Sequence, residues 1–318
     1  MKFSIPSEPK LVASVLENAG FDAYFVGGCV RDILLGREPK DWDITTNAKP
    51  EEIQALFPES VYENNFGTVG IKTDSEDPRL KIVEVTTYRI EGKYSDKRHP
   101  DEVKFANTLE EDLSRRSLTI NAMAMRFGIE NKESGIKNKN ALIHDSEFII
   151  PEIVDPYGGQ DDLKNRVIKT VGDPKKRFEE DALRIMRAAR FSAELGFEIE
   201  FNTRRAIEEK AGLLEMIAKE RIRDEFVKII MCDNATKGII LLEELDILRY
   251  VAQEIREGLG VGQNKHHIYS VFEHNVRALD YTAKQKCSLV VRLAALLHDV
   301  GKPRVKKGDG PDSTFYNH

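Results

Sequence analysis

Apolar residues recur at two different periods along the chain, and the change between them divides it. In the first 150 residues the runs are short. Lys10 to Asn18 has helical spacing, Phe21 to Val26 is aromatic and β-branched and reads as a strand, and Val30 to Leu35 reads as a short helix ended by Gly36. Glu51 to Leu56 reads as a helix after Pro50, and Thr68 to Lys72 and Leu80 to Tyr88 read as strands. Such a mixture predicts an α+β or α/β unit. From Arg177 the spacing turns helical, as in Ala182, Ile185, Met186 and Ala189, and stays so to Leu297, so the second half is expected to be all-α. The expected boundary is Pro151 to Gly159, where Pro, Gly and Asp gather. No internal repeat or low-complexity tract interrupts the pattern.

The pattern places several polar groups where chemistry is possible. Gly27 and Gly28 sit where a strand enters a helix, a position that lets backbone N–H groups approach an anion such as phosphate. In DWDITT, residues 41 to 46, strand alternation sends Asp41 and Asp43 to one face and Trp42, the chain's only tryptophan, to the other. Paired carboxylates repel, and a hard cation such as Mg²⁺ relieves the repulsion; the same residues also suit a solvated turn after Pro39. Glu84, in the β-prone run LKIVEVTTYR, is either a third acid for that patch or an edge-strand charge. Arg115 and Arg116, in DLSRRSLTINAMAM, suit a triphosphate clamp or a solvated face. In EEDALRIMRAARF, a helix would bring Asp181, Arg184 and Arg187 onto one surface at three-residue steps. They form either a salt bridge or a base-reading edge, in which Asp181 accepts from an exocyclic amine and Arg184 donates to the adjacent ring nitrogen. Cytosine and adenine offer that order; uracil and guanine offer its reverse.

Composition narrows the class. With 318 residues, 32% charged and 41% hydrophobic, the chain is long enough for two or more folded domains and is not a disordered segment. MKFSIPSEPK lacks the apolar core of a signal peptide, and no apolar run approaches membrane-spanning length, so a cytoplasmic protein without a membrane partner is expected. Cys29, Cys232 and Cys287 are too widely spaced for a disulfide framework or a zinc pattern. The net charge of -6 argues against indiscriminate nucleic-acid binding. Locally, however, Leu163 to Arg190 carries nine Lys or Arg against four Asp or Glu, a stripe suited to a phosphate backbone. No Walker A pattern is present.

Six segments in order, GGCVRD, DWD, VEVTTYR, RRSLTINAMAM, DPYGGQDDL and EDALRIMRAARF, resemble the motifs of the class II tRNA nucleotidyltransferases, the bacterial and eukaryotic CCA-adding enzymes, and their poly(A) polymerase relatives. The resemblance runs from about residue 20 to residue 230. It implies an α+β fold, with a DNA polymerase beta-like head at 1–150, a helical neck at 151–200 and an RNA-binding body at 201–262. It implies Mg²⁺ on Asp41 and Asp43 with Glu84 as third acid, and a nucleotide pocket including Gly27, Gly28 and Arg31. Arg115 and Arg116 then contact the triphosphate, Asp181 and Arg184 select the base, Arg187 and Arg190 assist, and KERIRDEFVKII, residues 219 to 230, braces their helix. The implied reaction is attack by a tRNA 3′-hydroxyl on the α-phosphate of CTP or ATP, releasing pyrophosphate. Complete CCA addition, CC-only addition, A-only addition and poly(A) synthesis share this pocket. Arg89 to Phe105 reads as a mobile loop, the region to which the family's switch from C to A is attributed. Ser117 stands where the family usually has Asp.

The C-terminal stretch ALLHDVGKP pairs His298 with Asp299, with His274 upstream in VFEHNV, and resembles the opening of an HD phosphohydrolase domain. Such residues suit a divalent metal. Residues 263–318 are therefore expected to be a partial HD domain, because the chain runs only 19 residues past Asp299 and that fold's last metal-binding Asp normally lies well beyond the pair.

Overall fold

The computed structural model describes residues 5–62, 67–92, 103–127, 151–264, 267–308 and 310–317. They form two compact units, one from the described residues before 92 and from 103 to 163, the other starting at Lys164.

The first unit runs α1 (Ser7–Asn18), β1 (Tyr24–Val26), α2 (Gly28–Leu34), β2 (Asp43–Thr46), α3 (Pro50–Leu56), β3 (Ser60–Tyr62), β4 (Thr68–Lys72), β5 (Ile82–Thr87), β6 (Arg89–Glu91), β7 (Val103–Phe105), α4 (Leu109–Ser114), β8 (Ala124–Arg126), β9 (Glu152–Val154) and α5 (Gly159–Asn165). Seven strands form a mixed sheet in the order β3-β4-β5-β2-β1-β8-β9, in which only β2 and β5 are parallel. Helix α1 buries Pro9, Val12, Ala13 and Leu16, the stripe its spacing predicts. Strand β5 alternates as a half-covered strand must: Val83, Val85 and Thr87 face the core, whereas Ile82 and Glu84 are exposed.

The DPYGGQDDL segment is a structural joint. The Asp155 carboxylate accepts from the N–H groups of Gly159 (2.7 Å) and Gln160 (2.8 Å) and so starts α5. Thr119 Oγ1 donates to Asp162 at 2.6 Å, drawing the helix against the 3₁₀ turn Thr119–Asn121. A Cβ on Gly159 would fall inside contact distance of the Thr119 carbonyl oxygen. Gly159→Ala is therefore expected to cost about 1–3 kcal/mol of stability in urea unfolding, as overpacking does. Gly262→Ala, where a Cβ meets open space, is the control expected to leave the transition within about 0.5 kcal/mol.

The second unit contains β10 (Val167–Ile168), α6 (Pro174–Glu180), α7 (Leu183–Leu195), β11 (Glu198–Ile199), α8 (Phe201–Lys210), α9 (Lys219–Met231), α10 (Ala235–Glu244), α11 (Leu248–Val251), α12 (Gln253–Arg256), α13 (Val271–Lys284), α14 (Leu289–Leu297) and α15 (Lys302–Val305). The class is α+β. Three local expectations are corrected. The second unit is not purely helical, since β10 and β11 form a two-residue parallel ladder. The ends of the 89–105 segment are strands, β6 and β7, paired antiparallel; Lys93 to His99, the centre of the expected loop, lies outside the described residues. The strand expected from Asp41 begins at Asp43, because Asp41 and Trp42 stand before the ladder starts.

Candidate active site

Gly27 has φ 78° and ψ −126°, a conformation that side chains avoid. A Cβ there would stand 2.8 Å from Arg116 Nη1 and 3.8 Å from Asp43 Oδ2, so the bare backbone is what admits Arg116 beside the acid. At Gly28 a Cβ would stand 3.6 Å from both Asp41 Oδ1 and Arg31 Nη2. The structure thus brings Gly27, Gly28, Arg31, Asp41, Asp43 and Arg116 around one end of β2.

Trp42 fixes the acids' directions. It is buried and meets the Phe25 ring edge-on, with centroids 5.7 Å apart, leaving its two aspartate neighbours outside the core. Asp43 and Glu84 are register partners across the parallel β2–β5 pair, and therefore share a sheet face. Burial pushes the Asp43 carboxyl up to about 7, aided by the charges of Asp41 and Glu84 and opposed by Arg116. Because this pKa lies above its ordinary 3.8, Asp43 contributes stability below about pH 4 that is lost as pH rises through about 7. Metal-free thermal melts between pH 5 and pH 8 are expected to show a fall in Tm that Asp43→Asn removes.

This acid set fits a hard divalent cation: all donors are oxygen, and the repulsion that raises Asp43 is what such an ion relieves. Among the described residues, the group of three that brings its ligand atoms within 4.8 Å of one another is instead His274, His298 and Asp299.

The arginines are held by a residue that sequence reasoning did not single out. Asp112, wholly buried on α4, accepts from Arg115 Nε at 2.9 Å and stands 3.6 Å from Arg116 Nη2. Burial acts to raise its carboxyl, but Arg115 and Arg116 outweigh that and hold it low. The available signal was its place between Leu109 and Leu113, on the apolar face of an otherwise acidic helix. Arg31 donates to Asn121 Oδ1 at 2.7 Å and pairs with Asp32, and Ser117 is buried. Cys29 is packed behind the site; burial first, then Asp43, push its thiol up to about 12, which makes it inert.

In the second unit Asp181 and Arg184 do not share a helix, which corrects the three-residue-step reading. Asp181 ends α6 in an extended conformation, and its Oδ1 accepts from the N–H of Leu183 at the start of α7. Its other oxygen pairs with Arg221 at 3.2 Å. Arg184 Nη1 lies 2.5 Å from Glu180, which also pairs with Arg177 at 3.0 Å. Arg190 Nε is 2.6 Å from Glu225 and Arg187 is held near the same carboxylate, although burial pulls its pKa down. Arg221 and Glu225 both lie on α9, within the KERIRDEFVKII segment, so α9 supplies a partner to each end of the Asp181–Arg190 stretch.

At the C-terminal end, His274 Nε2 and His298 Nε2 are 3.0 Å apart, and they lie 3.5 Å and 3.3 Å from Asp299 Oδ2. Lys302 Nζ, at 2.7 Å, shares that same oxygen. Burial and then His298 push the His274 pKa down, favouring the neutral imidazole a metal would need.

The geometry is that of a nucleotidyltransferase head, and comparison with known proteins agrees. Residues 23–169 match the family model of the poly(A) polymerase head domain, and residues 196–259 match that of a probable RNA- and SrmB-binding site of polymerase A. The chain belongs to the class II tRNA nucleotidyltransferase and poly(A) polymerase family. It is 47% identical over 219 residues to a CCA-adding enzyme of Lactobacillus helveticus, covering 69% of this chain and 48% of that protein. It is 43% identical over 244 residues to one of Anoxybacillus flavithermus, covering 76% and 54%. The chain thus spans about half the length of the relatives it matches. Among solved structures, the Bacillus stearothermophilus CCA-adding enzyme in complex with CTP matches with a TM-score of 0.70 and 33% identity, over 94% of this chain and 65% of that one. A tRNA nucleotidyltransferase complexed with a primer tRNA and an incoming ATP analog matches with a TM-score of 0.64 and 25% identity, over 91% and 75%. No helix among the described residues is long and apolar enough to cross a membrane.

Proposed function

We propose that this chain adds C and A from CTP and ATP to the 3′ end of tRNA and releases pyrophosphate, acting in the cytoplasm. The observation that carries this reading is the pairing of Asp43 with Glu84 on one sheet face, beside Asp41, the bare backbone of Gly27 and the guanidinium of Arg116. Asp41 and Asp43 would hold Mg²⁺, which when bound lowers the pKa of the attacking hydroxyl and neutralises charge on the leaving pyrophosphate. Gly27 and Gly28 admit the phosphates close to the backbone, Arg31, Arg115 and Arg116 orient them, and Asp181 and Arg184 read the base edge, with Arg187 and Arg190 assisting nearby. We assign residues 1–150 to the catalytic head, 151–200 to the neck, 201–262 to the RNA-binding body and 263–318 to a segment that resembles the opening of an HD domain.

The test is incubation with tRNA ending at the discriminator base and each labelled NTP in turn, with product length read on a gel. Extension by CCA supports the proposal. Extension by CC alone, by A alone on tRNA ending in CC, or by an A tail identifies the partial enzymes or a poly(A) polymerase.

The His274–His298–Asp299 group favours a second reading, a metal-dependent phosphohydrolase. We expect little bound transition metal and little phosphatase or 2′,3′-cyclic phosphodiesterase activity, because the three ligands gathered among the described residues, one already sharing its oxygen with Lys302, form a weak site. Robust hydrolysis that disappears in His298→Ala would overturn this expectation.

A further inference from the structure

We propose that Asp112 is a positioning residue for the triphosphate of the incoming nucleotide, a role that rests on the nucleotidyl transfer proposed above and on the assignment of Arg115 and Arg116 to the phosphates. One fully buried carboxylate ties both arginines to the strands that carry the acids. Its Oδ1 accepts from Arg115 Nε at 2.9 Å and from the Arg89 N–H at 3.3 Å. Its Oδ2 lies 3.3 Å from Thr45 Oγ1, whose single proton is shared with the Thr86 carbonyl oxygen at 3.1 Å, and faces Arg116 Nη2 at 3.6 Å. Thr45 lies two residues along β2 from Asp43 and therefore on the same sheet face, and Arg89 begins β6 just after the strand that bears Glu84.

The sequence around Asp112 fixes it there. Thr108 and Glu111 form a capping box that sets where α4 begins, with the Glu111 N–H donating to Thr108 Oγ1 at 3.3 Å. Leu109 and Leu113 enter a core with Val26, Tyr88 and Ala124, which fixes the rotation of α4 and turns Asp112 inward. A charge buried this deeply is costly unless it is paired, and its pairs are the two arginines.

Arg116 shows what the pairing holds in place. Its guanidinium reaches from Asp112 at Nη2 to Gly27 at Nη1, and its buried Nε has no hydrogen-bond partner among the described residues. An arginine held in that stretched position keeps its charge beside Asp43 without closing on it. With the Asp112 charge removed, the nearest carboxylate left to Arg116 is Asp43 itself, and the guanidinium is drawn off the phosphate position onto the acid cluster.

The test uses the full chain with Asp112→Asn, which preserves shape and removes charge. The KM for CTP is expected to rise about tenfold with kcat within about threefold, the loss of one well-placed charged contact. Inhibition by inorganic tripolyphosphate is expected to weaken in parallel, whereas CMP binding stays at the wild-type level. The direction is diagnostic: if Asp112 merely diluted the arginines' positive charge, its removal would tighten tripolyphosphate binding. In an Arg115→Ala/Arg116→Ala background the Asp112→Asn change is expected to have no further effect on KM. Should Asp112→Asn fail to fold, Thr45→Val, which deletes the hydroxyl shared by Asp112 and the Thr86 carbonyl and alters no charge, is expected to raise KM by about threefold. Unchanged or tighter tripolyphosphate binding in a folded Asp112→Asn, an equal loss for CMP, or an unchanged KM in Thr45→Val overturns the role. A wild-type chain that transfers no nucleotide overturns the proposed function instead, and tripolyphosphate titration of the same variants still decides Asp112.

Discussion

Asp43→Ala is expected to lower nucleotide addition by at least about a thousandfold, the several kcal/mol of transition-state stabilisation that a carboxylate-held cation supplies. Binding of tRNA to the same variant is expected to stay within about threefold, because phosphate contacts to basic side chains set that affinity and Asp43 is not one of them. Three observations make Asp43 rather than Asp41 the stricter test. It is the register partner of Glu84, it lies nearest the Gly27 backbone and Arg116, and it carries the carboxyl pushed up to about 7 by burial and by Asp41 and Glu84. Replacing it removes the acid on which the others converge, whereas Asp41 is exposed and makes its approach at Gly28. The measurement is a single-turnover extension assay with labelled CTP, paired with a filter-binding titration of tRNA. Turnover within tenfold of wild type would reject the assignment of the acid cluster, and a parallel loss of tRNA binding would mean that the substitution had damaged the fold. Asp43→Asn separates these outcomes further, since it retains the side-chain volume and is expected to be as inactive as Ala while melting no lower than wild type at pH 8.

How much of this was legible in the sequence depended on how local each signal is. The alternation in LKIVEVTTYR placed Glu84 opposite the buried valines, and Trp42 between two acids already implied that the acids point away from the core. Both are nearest-neighbour facts about a strand, and both hold although β2 starts two residues late. The helix start at Gly28 and the joint at Gly159 were likewise signalled by glycines, because backbone conformation and close approach are local demands. Pairings between segments far apart in sequence left no such mark. Asp112 meets Thr45 across 67 positions and Arg221 meets Asp181 across 40. The three-residue spacing of Asp181, Arg184 and Arg187 was real as a count but assumed a continuous helix. The chain instead turns extended at Asp181, which ends α6, so a residue read as a helical neighbour stands before α7 and its carboxylate accepts from that helix's first N–H.

That placement sharpens the expectation for base choice. Asp181→Ala is expected to relax discrimination against UTP and GTP by about 10- to 100-fold, as removal of an unfavourable pairing does. Cytosine and adenine present an amine beside a bare ring nitrogen, which a carboxylate and a guanidinium can satisfy. Uracil and guanine present a carbonyl beside a ring N–H, so Asp181 would face an acceptor and Arg184 a donor. Partners hold both side chains in place. Arg221 takes one Asp181 oxygen and the Leu183 N–H the other, while Glu180 orients Arg184. The same contacts define a competing expectation, since losing the Asp181 bond to the Leu183 N–H costs about 1 kcal/mol whatever the base. Arg221→Ala tells the two apart: it removes the ion pair to Asp181 and keeps both the Leu183 N–H bond and the proposed reading edge. It is expected to slow C and A addition together, with selectivity against UTP and GTP changing less than in Asp181→Ala. Competition assays with equimolar CTP and labelled UTP, and ATP with labelled GTP, supply the measurement. If Asp181→Ala slows all four nucleotides equally and never admits U or G, Asp181 is only a partner of the Leu183 N–H and of Arg221, and the base is read elsewhere.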